Sequence, residues 1–323
     1  MSNEQIKHND ENILEVSHLK KYFPIKGGFF GGVTGQVKAV DDVSLNIKRG
    51  TTMGLVGESG CGKSTMGRTI LRLIEKTDGE VLFNGEDVNS WDKKKLRDMR
   101  TKMQIIFQDP YSSLSPRLPV GEIIGEAVRE HGLVSKEEYD DYVTKVMLDC
   151  GLQEYHKDRY PHEFSGGQRQ RICIARALAL NPEFIVCDEP VSALDVSIQA
   201  QIINLLRELQ EKRNLTYLFI SQDLWVVGHI SDTVGVMYLG GLVETGKTEI
   251  FLRIRFTHIP RHCSRQFRCR IRMLRETVFF WRGISHLRPI HRQGVSSIHV
   301  AKSAWRSVNM RIRSHVTWAT GTR

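Results

Sequence analysis

Short hydrophobic runs alternate with longer amphipathic stretches along the first 250 residues of the chain. In 197–213 the apolar residues recur three or four positions apart, which predicts a helix with one buried face. Strands that alternate with helices favour an α/β fold with a largely parallel central sheet. Runs rich in β-branched and aliphatic residues predict the strands of this sheet at 52–56, 103–107, 184–187, 217–220 and 233–237.

Other segments interrupt this alternation. The segments 37–47 and 79–83 predict antiparallel strands, and the turn signal Asn84-Gly85 follows the second of them. The range of about 93–165 is mostly helical and more polar, which predicts a helical subdomain inserted between two halves of the sheet. The Gly-rich, polar segment 26–36 predicts a flexible loop between two strands.

The composition excludes several classes of protein. With 40% hydrophobic and 26% charged residues among 323, the chain is neither disordered nor collagen-like. The polar extension at 1–12 contains no apolar signal core, and no run approaches the ~18 apolar residues of a membrane span. We therefore expect a chain that is cytosolic or that lies against a membrane through a partner. Six cysteines without the spacing of a disulfide framework predict reduced thiols.

The strongest chemical signal is a glycine-rich segment between the predicted strand 52–56 and a predicted helix at 64–73. It fits the phosphate-binding loop pattern, in which glycines let successive N–H groups turn towards phosphate oxygens. Lys63 supplies charge to the outer phosphates and Ser64 ligates Mg²⁺, whereas an unspecialised Gly-rich turn would not need this Lys-Ser pair. The residues predicted to bind ATP here are Gly57, Glu58, Ser59, Gly60, Cys61, Gly62, Lys63, Ser64 and Thr65.

Two acids follow the predicted buried strand 184–187. Asp188 is predicted to hold Mg²⁺, and Glu189 is predicted to polarise the attacking water as a general base. A solvated strand end is the alternative for an isolated acid pair. The phosphate-binding loop in the same chain favours the catalytic interpretation.

A helix that opens with Ser-Gly-Gly offers free N–H groups to an anion. The predicted nucleotide-contacting residues at this helix start are Ser165, Gly166, Gly167 and Gln168. With the two preceding motifs, this signature makes residues 13–250 similar to the ATP-binding subunits of ABC transporters. The resemblance implies a P-loop NTPase core with an antiparallel β subdomain and an α-helical subdomain that carries the signature. It also implies a head-to-tail pair, in which each ATP lies between the loop of one subunit and the signature of the other.

The resemblance implies roles for single residues as well. Gln108 matches the glutamine that contacts Mg²⁺, which makes Ser64, Gln108 and Asp188 the expected metal ligands. Asp195 matches a loop that crosses the dimer interface. Phe23, or else Tyr22, matches the aromatic residue that stacks on adenine; taken alone, either is a candidate for the core instead.

Further segments resemble the oligopeptide and dipeptide importers within that family. They are 109–117, 160–163, 192–201 and 235–238. The resemblance implies an ATPase at the cytoplasmic face of the membrane, bound to two permease subunits that receive peptides from an extracytoplasmic binding protein, with no nucleic acid. The alternatives are a soluble ABC-type ATPase with a nucleic-acid-binding tail and a regulatory ATP-binding subunit with weak hydrolysis.

Gln222 departs from the family pattern, which has His at this place. A neutral amide donates a hydrogen bond but cannot carry a proton. We therefore expect ATP binding to survive and hydrolysis at this subunit's own site to be weakened, with both Glu189 and Gln222 at the catalytic centre.

Charge separates the last part of the chain from the rest. Residues 1–250 contain 30 Lys and Arg against 36 Asp and Glu, whereas 251–323 contain 16 basic residues and one acid. The tail is interpreted as a nucleic-acid-binding arm, as a disordered segment, or as the product of a shifted reading frame. We favour the last, because back-translation with one-base shifts gives strings that resemble the importers' own continuation and its cysteine cluster. Cys263 and Cys269 alone are too few for an iron–sulfur centre.

Overall fold

Two β-sheets organise residues 11–27 and 32–251, the part of the chain that the computed structural model describes. The strands are β1 (Asn12–Gly27), β2 (Gly32–Lys48), β3 (Thr52–Gly57), β4 (Asp78–Phe83), β5 (Glu86–Asp87), β6 (Met103–Ile106), β7 (Phe184–Asp188), β8 (Thr216–Ser221), β9 (Thr233–Tyr238) and β10 (Gly241–Lys247). The α-helices are α1 (Lys63–Ile70), α2 (Lys93–Lys102), α3 (Pro110–Ser113), α4 (Val120–His131), α5 (Tyr139–Asp149), α6 (Gly166–Leu178), α7 (Val196–Arg213) and α8 (Leu224–Ile230).

The larger sheet has six strands in the order β10-β9-β3-β8-β7-β6. Five of them are parallel, and β10 is added antiparallel to β9 at the edge. The five parallel strands coincide with the five hydrophobic runs, so the predicted α/β fold with a largely parallel sheet is confirmed. In this order the segments that follow β3 and β7 reach the same edge of the sheet, with β8 between them.

Successive residues of the central strands enter two different cores. Ile185 and Cys187 belong to one hydrophobic cluster, whereas Phe184 and Val186 belong to the other. Side chains of a strand alternate between the faces of a sheet, so a strand that is covered on both sides must be apolar throughout. This explains why β7 and β8 are continuous hydrophobic runs and do not alternate with polar residues.

The smaller sheet is antiparallel, with the strand order β2-β1-β4-β5. The predicted turn at Asn84-Gly85 joins β4 to β5, and both residues have positive φ angles, 52° and 79°, as a tight hairpin turn requires. The predicted flexible loop at 26–36 is wrong for 26–27 and 32–36, because β1 runs to Gly27, β2 begins at Gly32, and Gln36 pairs with Pro24. Strand pairing uses main-chain groups, so a Gly-rich, polar composition did not prevent it. Residues 28–31 lie outside the described part.

Helix α7 confirms the amphipathic pattern of 197–213. It is capped by the Asp195 side chain, which accepts a hydrogen bond from Ile198 N–H at 3.1 Å, and it ends at Asn214 with a φ of 50°. Helices α2, α3, α4 and α5 lie within the range predicted at 93–165, and α6 begins directly after it. That range also contains β6, which pairs with β7 in the parallel sheet. The core strand thus interrupts the helical segment.

Several predictions from the sequence fall outside the described residues. They concern the N-terminal extension up to residue 10, and the tail from residue 252 with Cys263 and Cys269. The four cysteines within the described part are all free and buried, as expected for reduced thiols.

Phe83 joins the two sheets, because its ring in β4 packs 6.4 Å from the ring of Phe184 in β7, centroid to centroid, and is fully buried. Replacing Phe83 with Ala should lower the free energy of unfolding by about 3–5 kcal/mol through lost burial and a residual cavity. Leu82→Ala is the control, because Leu82 is only partly buried in the same strand. Urea unfolding of both variants measures the difference, and an equal loss would contradict the role of Phe83.

Candidate nucleotide-hydrolysis site

The glycine-rich loop connects β3 to α1 and is pressed against the antiparallel sheet. Gly62 has a φ of 109°, and a Cβ at this position would lie 1.9 Å from the main-chain oxygen of Ala39 in β2. Gly240, which follows β9, donates its N–H to Cys61 O at 2.9 Å. A side chain at position 62 therefore cannot be accommodated, and the loop can take its path only with glycine.

Lys63 folds back over the loop. Its Nζ donates to the main-chain oxygens of Gly57 at 2.8 Å and Glu58 at 2.7 Å, and the residue is only 4% exposed. Both acceptors are uncharged, so the ammonium group has no ionic partner in these two contacts. Phosphate oxygens would supply stronger, charge-assisted hydrogen bonds at the same place. The loop therefore fits an outer phosphate of a nucleotide.

Asp188 ends β7 with its carboxylate almost fully buried, at 1% exposure. Oδ1 accepts a hydrogen bond from the Ser64 hydroxyl at 2.6 Å, and Oδ2 lies 3.4 Å from the guanidinium of Arg68. Ser64 and Arg68 are four residues apart in α1, so one face of the helix contacts the carboxylate. A buried carboxylate beside a hydroxyl is a set of hard oxygen donors, which suits Mg²⁺.

Glu189 accepts an amide hydrogen bond at each of its two carboxylate oxygens. Gln108 donates from Nε2 to Oε2 at 2.9 Å, and Gln222 donates from Nε2 to Oε1 at 2.8 Å. Glu189 is 7% exposed and has a φ of 50°, an uncommon backbone conformation that directs it away from the line of β7. Its N–H donates to Ile220 O at 3.0 Å, which holds it beside β8. Three residues predicted separately thus meet at one carboxylate.

The signature residues begin α6. Ser165 and Gln168 form a reciprocal cap: the Ser165 hydroxyl accepts from Gln168 N–H at 3.3 Å, and Gln168 Oε1 accepts from Ser165 N–H at 3.1 Å. A Cβ on Gly167 would lie 2.5 Å from the Ile198 side chain, so this turn packs closely on the start of α7. These contacts join the signature to the Asp195 region.

Asp195 is engaged as a helix cap. Its Oδ1 accepts from Ile198 N–H and, at 2.8 Å, from the Ser197 hydroxyl, and these hydrogen bonds lower its pKa. Its predicted position in an interface loop is compatible with this exposed place at the start of α7.

The aromatic candidates lie on β1 next to the loop. Tyr22 pairs with Lys38 and Phe23 with Val37, close to the Ala39 carbonyl that faces Gly62. The Tyr22 hydroxyl donates to Asp41, and the Lys38 ammonium lies 5.0 Å from its ring centroid. Phe23 has no polar atom to engage and is 38% exposed. Stacking of adenine on Phe23 stays a prediction.

Sequence reasoning missed Arg68 and two contacts of α6. Arg68 follows Ser64 by one helical turn, and that spacing was the available signal. The other two contacts, of Arg169 with Tyr111 and of Arg176 with Ser113, join distant parts of the chain without a local pattern.

A strand, a glycine-rich loop and a helix that meets a buried carboxylate define a P-loop nucleotide-binding ATPase. A family model described as ABC transporter matches residues 40–192. The chain is 57% identical over 245 residues to the oligopeptide transport ATP-binding protein AppF of Bacillus subtilis (strain 168). The matched residues make up 75% of this chain and 74% of AppF. The chain belongs to the ABC transporter family as an ATP-binding and ATP-hydrolysing subunit.

Further comparisons agree with this membership. The oligopeptide transport ATP-binding protein OppF of the same strain is 58% identical over 236 residues, covering 72% of this chain and 75% of that protein. Among solved structures, the dimeric post-hydrolysis state of the ATP-binding cassette MJ0796 bound to ADP and Pi is 30% identical with a TM-score of 0.64. It covers 73% of this chain and 98% of that chain. The resemblance to ABC ATP-binding subunits is thereby confirmed.

No helix within residues 11–27 and 32–251 combines the length and the hydrophobicity that crossing a bilayer requires.

Replacing Lys63 with Ala should lower ATP affinity by roughly 10²-fold, because each charge-assisted hydrogen bond to phosphate is worth about 1.5–3 kcal/mol. Nucleotide titration on the purified variant measures this loss. Lys76→Ala is the matched control, since Lys76 also donates to a main-chain oxygen, that of Gly79, outside the loop. Unchanged affinity in the Lys63 variant would contradict the assignment of the loop.

Proposed function

We propose that this chain hydrolyses ATP to power the import of oligopeptides or dipeptides through a membrane permease. The observation that carries the proposal is the 57% and 58% identity to two relatives that are both named for oligopeptide transport. In this proposal the chain lies at the cytoplasmic face of the membrane and is attached through permease subunits.

The signature and a dimeric relative support the proposed partners. The signature at Ser165–Gln168 packs beside Leu194 and Ile198, and we propose that it contacts nucleotide bound to a second ATPase subunit. The dimeric state of MJ0796 supports such a pair. We also propose two permease subunits, which an extracytoplasmic peptide-binding protein supplies with substrate, and no nucleic acid.

Ser64, Gln108 and Asp188 offer the hard oxygen donors that Mg²⁺ prefers, and they would hold it in this site. When bound, it neutralises charge on the terminal phosphates. Gln108 uses its amide nitrogen for Glu189, which leaves the amide oxygen for a cation. Lys63 exchanges its main-chain acceptors for phosphate oxygens, and Asp188 continues to orient Ser64.

Glu189 is the proposed base. Its two amide partners hold the carboxylate in one orientation, and both donors are neutral, so neither supplies a proton to the reaction. Gln222 therefore positions Glu189 and offers a hydrogen bond, whereas His would also carry charge. We propose that the site binds ATP normally and turns it over slowly, while the facing site of a different partner subunit supplies most of the hydrolysis.

In the chain assayed without a different partner subunit, replacing Glu189 with Gln should preserve ATP affinity and stop turnover, because the phosphate-binding loop is intact and the water loses its base. ATP should then accumulate in a closed dimer. Size measurement with and without ATP and Mg²⁺ detects this dimer, and an ATPase assay measures turnover. Glu183→Gln is the control, because Glu183 accepts hydrogen bonds from Lys102 and Arg49 away from the loop. Turnover at the starting rate in the Glu189 variant would exclude Glu189 as the base.

Replacing Gln222 with His should raise kcat by up to roughly 10²-fold, the scale for a donor that acts mainly in the transition state. The KM for ATP should change little, because the ground-state contacts with phosphate lie on the loop. ATPase kinetics with the partner subunit and permease measure both constants. Gln222→Asn controls for the loss of the original side chain. Equal kcat in the original and His forms would show that the amide is a full substitute.

Isolation of the native complex tests the transport function. Co-purification of permease subunits, with ATPase activity that rises when the peptide-binding protein delivers peptide, is the expected result. Strongly salt-dependent binding of RNA or DNA in the absence of permease would favour the nucleic-acid alternative.

A further inference from the structure

Arg68 of α1 forms an ion pair with the buried carboxylate at the end of β7. Its Nη2 lies 3.4 Å from Oδ2 of Asp188, a residue that is only 1% exposed. The other carboxylate oxygen, Oδ1, accepts the hydrogen bond of the Ser64 hydroxyl at 2.6 Å. The two oxygens therefore have partners of different kinds. The hydroxyl is itself a ligand for Mg²⁺, whereas the guanidinium would repel the ion.

Lys63, the other cation of the same helix, does not take this place. Its Nζ donates to the main-chain oxygens of Gly57 and Glu58 in the loop. In the part of the chain that the structure describes, Arg68 is the one cation in ion-pair contact with Asp188. A buried carboxylate is costly unless opposite charge or hydrogen bonds compensate it. The compensation of Asp188 by a positive charge of the protein therefore depends on Arg68.

The backbone of Arg68 is fixed, whereas its side chain reaches solvent. A Cβ on the neighbouring Gly67 would lie 2.8 Å from the Val186 side chain and 3.2 Å from that of Ile220, so α1 packs tightly on β7 and β8. The main-chain oxygen of Arg68 accepts from Leu73 N–H at 2.9 Å. The Arg68 side chain is nevertheless 44% exposed. A long side chain with this exposure can turn its guanidinium to water without opening the core.

A positive charge at this place opposes the binding of a second cation. A metal ion held by Ser64 and Asp188 would share the carboxylate with the Arg68 guanidinium, and like charges repel each other strongly in a partly buried site. Phosphate oxygens at Lys63 would add negative charge that offsets this repulsion. Mg²⁺ should therefore bind together with nucleotide and only weakly to the carboxylate and hydroxyl alone.

We propose that Arg68 is a positioning residue that compensates Asp188 when no metal is bound and that makes the binding of Mg²⁺ depend on nucleotide. This inference rests on the Mg²⁺ site of the proposed function. Removal of the Arg68 charge should destabilise the metal-free protein and strengthen its binding of Mg²⁺, two effects of opposite sign. An ion pair with a purely structural role would produce only the first effect.

Calorimetric titration of the full chain with AMP-PNP, a non-hydrolysable ATP analogue, tests the proposal. The affinity is measured once in EDTA and once in Mg²⁺, and the ratio of the two affinities reports metal binding without turnover. Mg²⁺ binds the free analogue equally in every titration, so a difference in the ratio between variants belongs to the protein. Thermal unfolding without nucleotide, in EDTA and in millimolar Mg²⁺ alone, is the second measurement.

The variants separate charge from shape. Arg68→Gln and Arg68→Met both remove the charge, and Gln retains an N–H donor, whereas Arg68→Lys keeps the charge. The matched control is Arg49→Gln, because Arg49 is 40% exposed and its Nη1 lies 3.1 Å from Glu183, away from the loop.

Arg68→Gln and Arg68→Met should raise the affinity ratio roughly three- to tenfold, whereas Arg68→Lys and Arg49→Gln should stay within about twofold of the original chain. Without nucleotide and metal, Arg68→Gln should lower the Tm by roughly 2–4 °C. Mg²⁺ alone should recover part of this loss, because an ion that binds the folded state stabilises it. Any loss of Tm in Arg49→Gln should not respond to Mg²⁺.

An unchanged or lower affinity ratio in both charge-removing variants would overturn the role of Arg68. An equal rise in Arg68→Lys would also overturn it, because the charge would then not be the active feature. A loss of Tm that Mg²⁺ does not recover would leave the ion pair a structural role alone. If Mg²⁺ has no effect on AMP-PNP affinity in the original chain, the proposed Mg²⁺ site itself is contradicted, so the two failures are distinguishable.

Discussion

A carboxylate buried at the end of a central strand fixes the geometry of the nucleotide site. Removing a charge from water is costly unless hydrogen bonds and opposite charge compensate it, and Asp188 is only 1% exposed. Its compensation comes from one face of α1, through the Ser64 hydroxyl at 2.6 Å and the Arg68 guanidinium at 3.4 Å. The same helix begins with Lys63. The contacts that compensate the Asp188 charge therefore also fix the position of this lysine. The strand order β3-β8-β7 brings the loop after β3 and the end of β7 to the same edge of the sheet. There the Asp188 carboxylate binds α1 through Ser64.

The sequence predicted those parts of the site in which a local pattern and its chemistry coincide. The loop at 57–65, the acids after β7 and the cap of α6 each depend on neighbouring residues, and each has the expected strand or helix beside it. The hydrogen bonds from Gln108 and Gln222 to Glu189 join residues 81 and 33 positions apart. No local sequence pattern can therefore predict them. The strand at 32–36 was missed for a different reason. Composition reports on side chains, whereas the pairing of β1 with β2 satisfies main-chain groups.

Gln222, in place of the expected His, gives the proposed base Glu189 a neutral hydrogen-bond donor. Imidazole has an ordinary pKa of about 6.5, so it would change charge across the physiological range beside Glu189. An amide donates the same hydrogen bond at every physiological pH. It cannot gain a proton, so it supplies no positive charge when negative charge develops during hydrolysis. The structure shows that the amide does reach the carboxylate, at 2.8 Å. In the proposed function, the amide orients Glu189 but supplies no electrostatic response, so the substitution would leave ATP binding intact and slow its hydrolysis.

The two amides on Glu189 differ in what holds them. Gln222 follows β8, a strand buried throughout in the middle of the parallel sheet, so its position is tied to the core that the loop also depends on. Gln108 follows β6 at the edge of that sheet. Shortly after Gln108, Tyr111 contacts Arg169 and Ser113 contacts Arg176, and both arginines belong to α6. Oε1 of Glu189 is therefore held by a residue next to the central sheet. Oε2 is held by a residue whose neighbours contact α6, the helix that begins with the signature. A relative movement of these two bodies must lengthen one of the two hydrogen bonds or rotate the carboxylate, because a single side chain cannot follow both partners. The orientation of Glu189 consequently depends on where α6 lies.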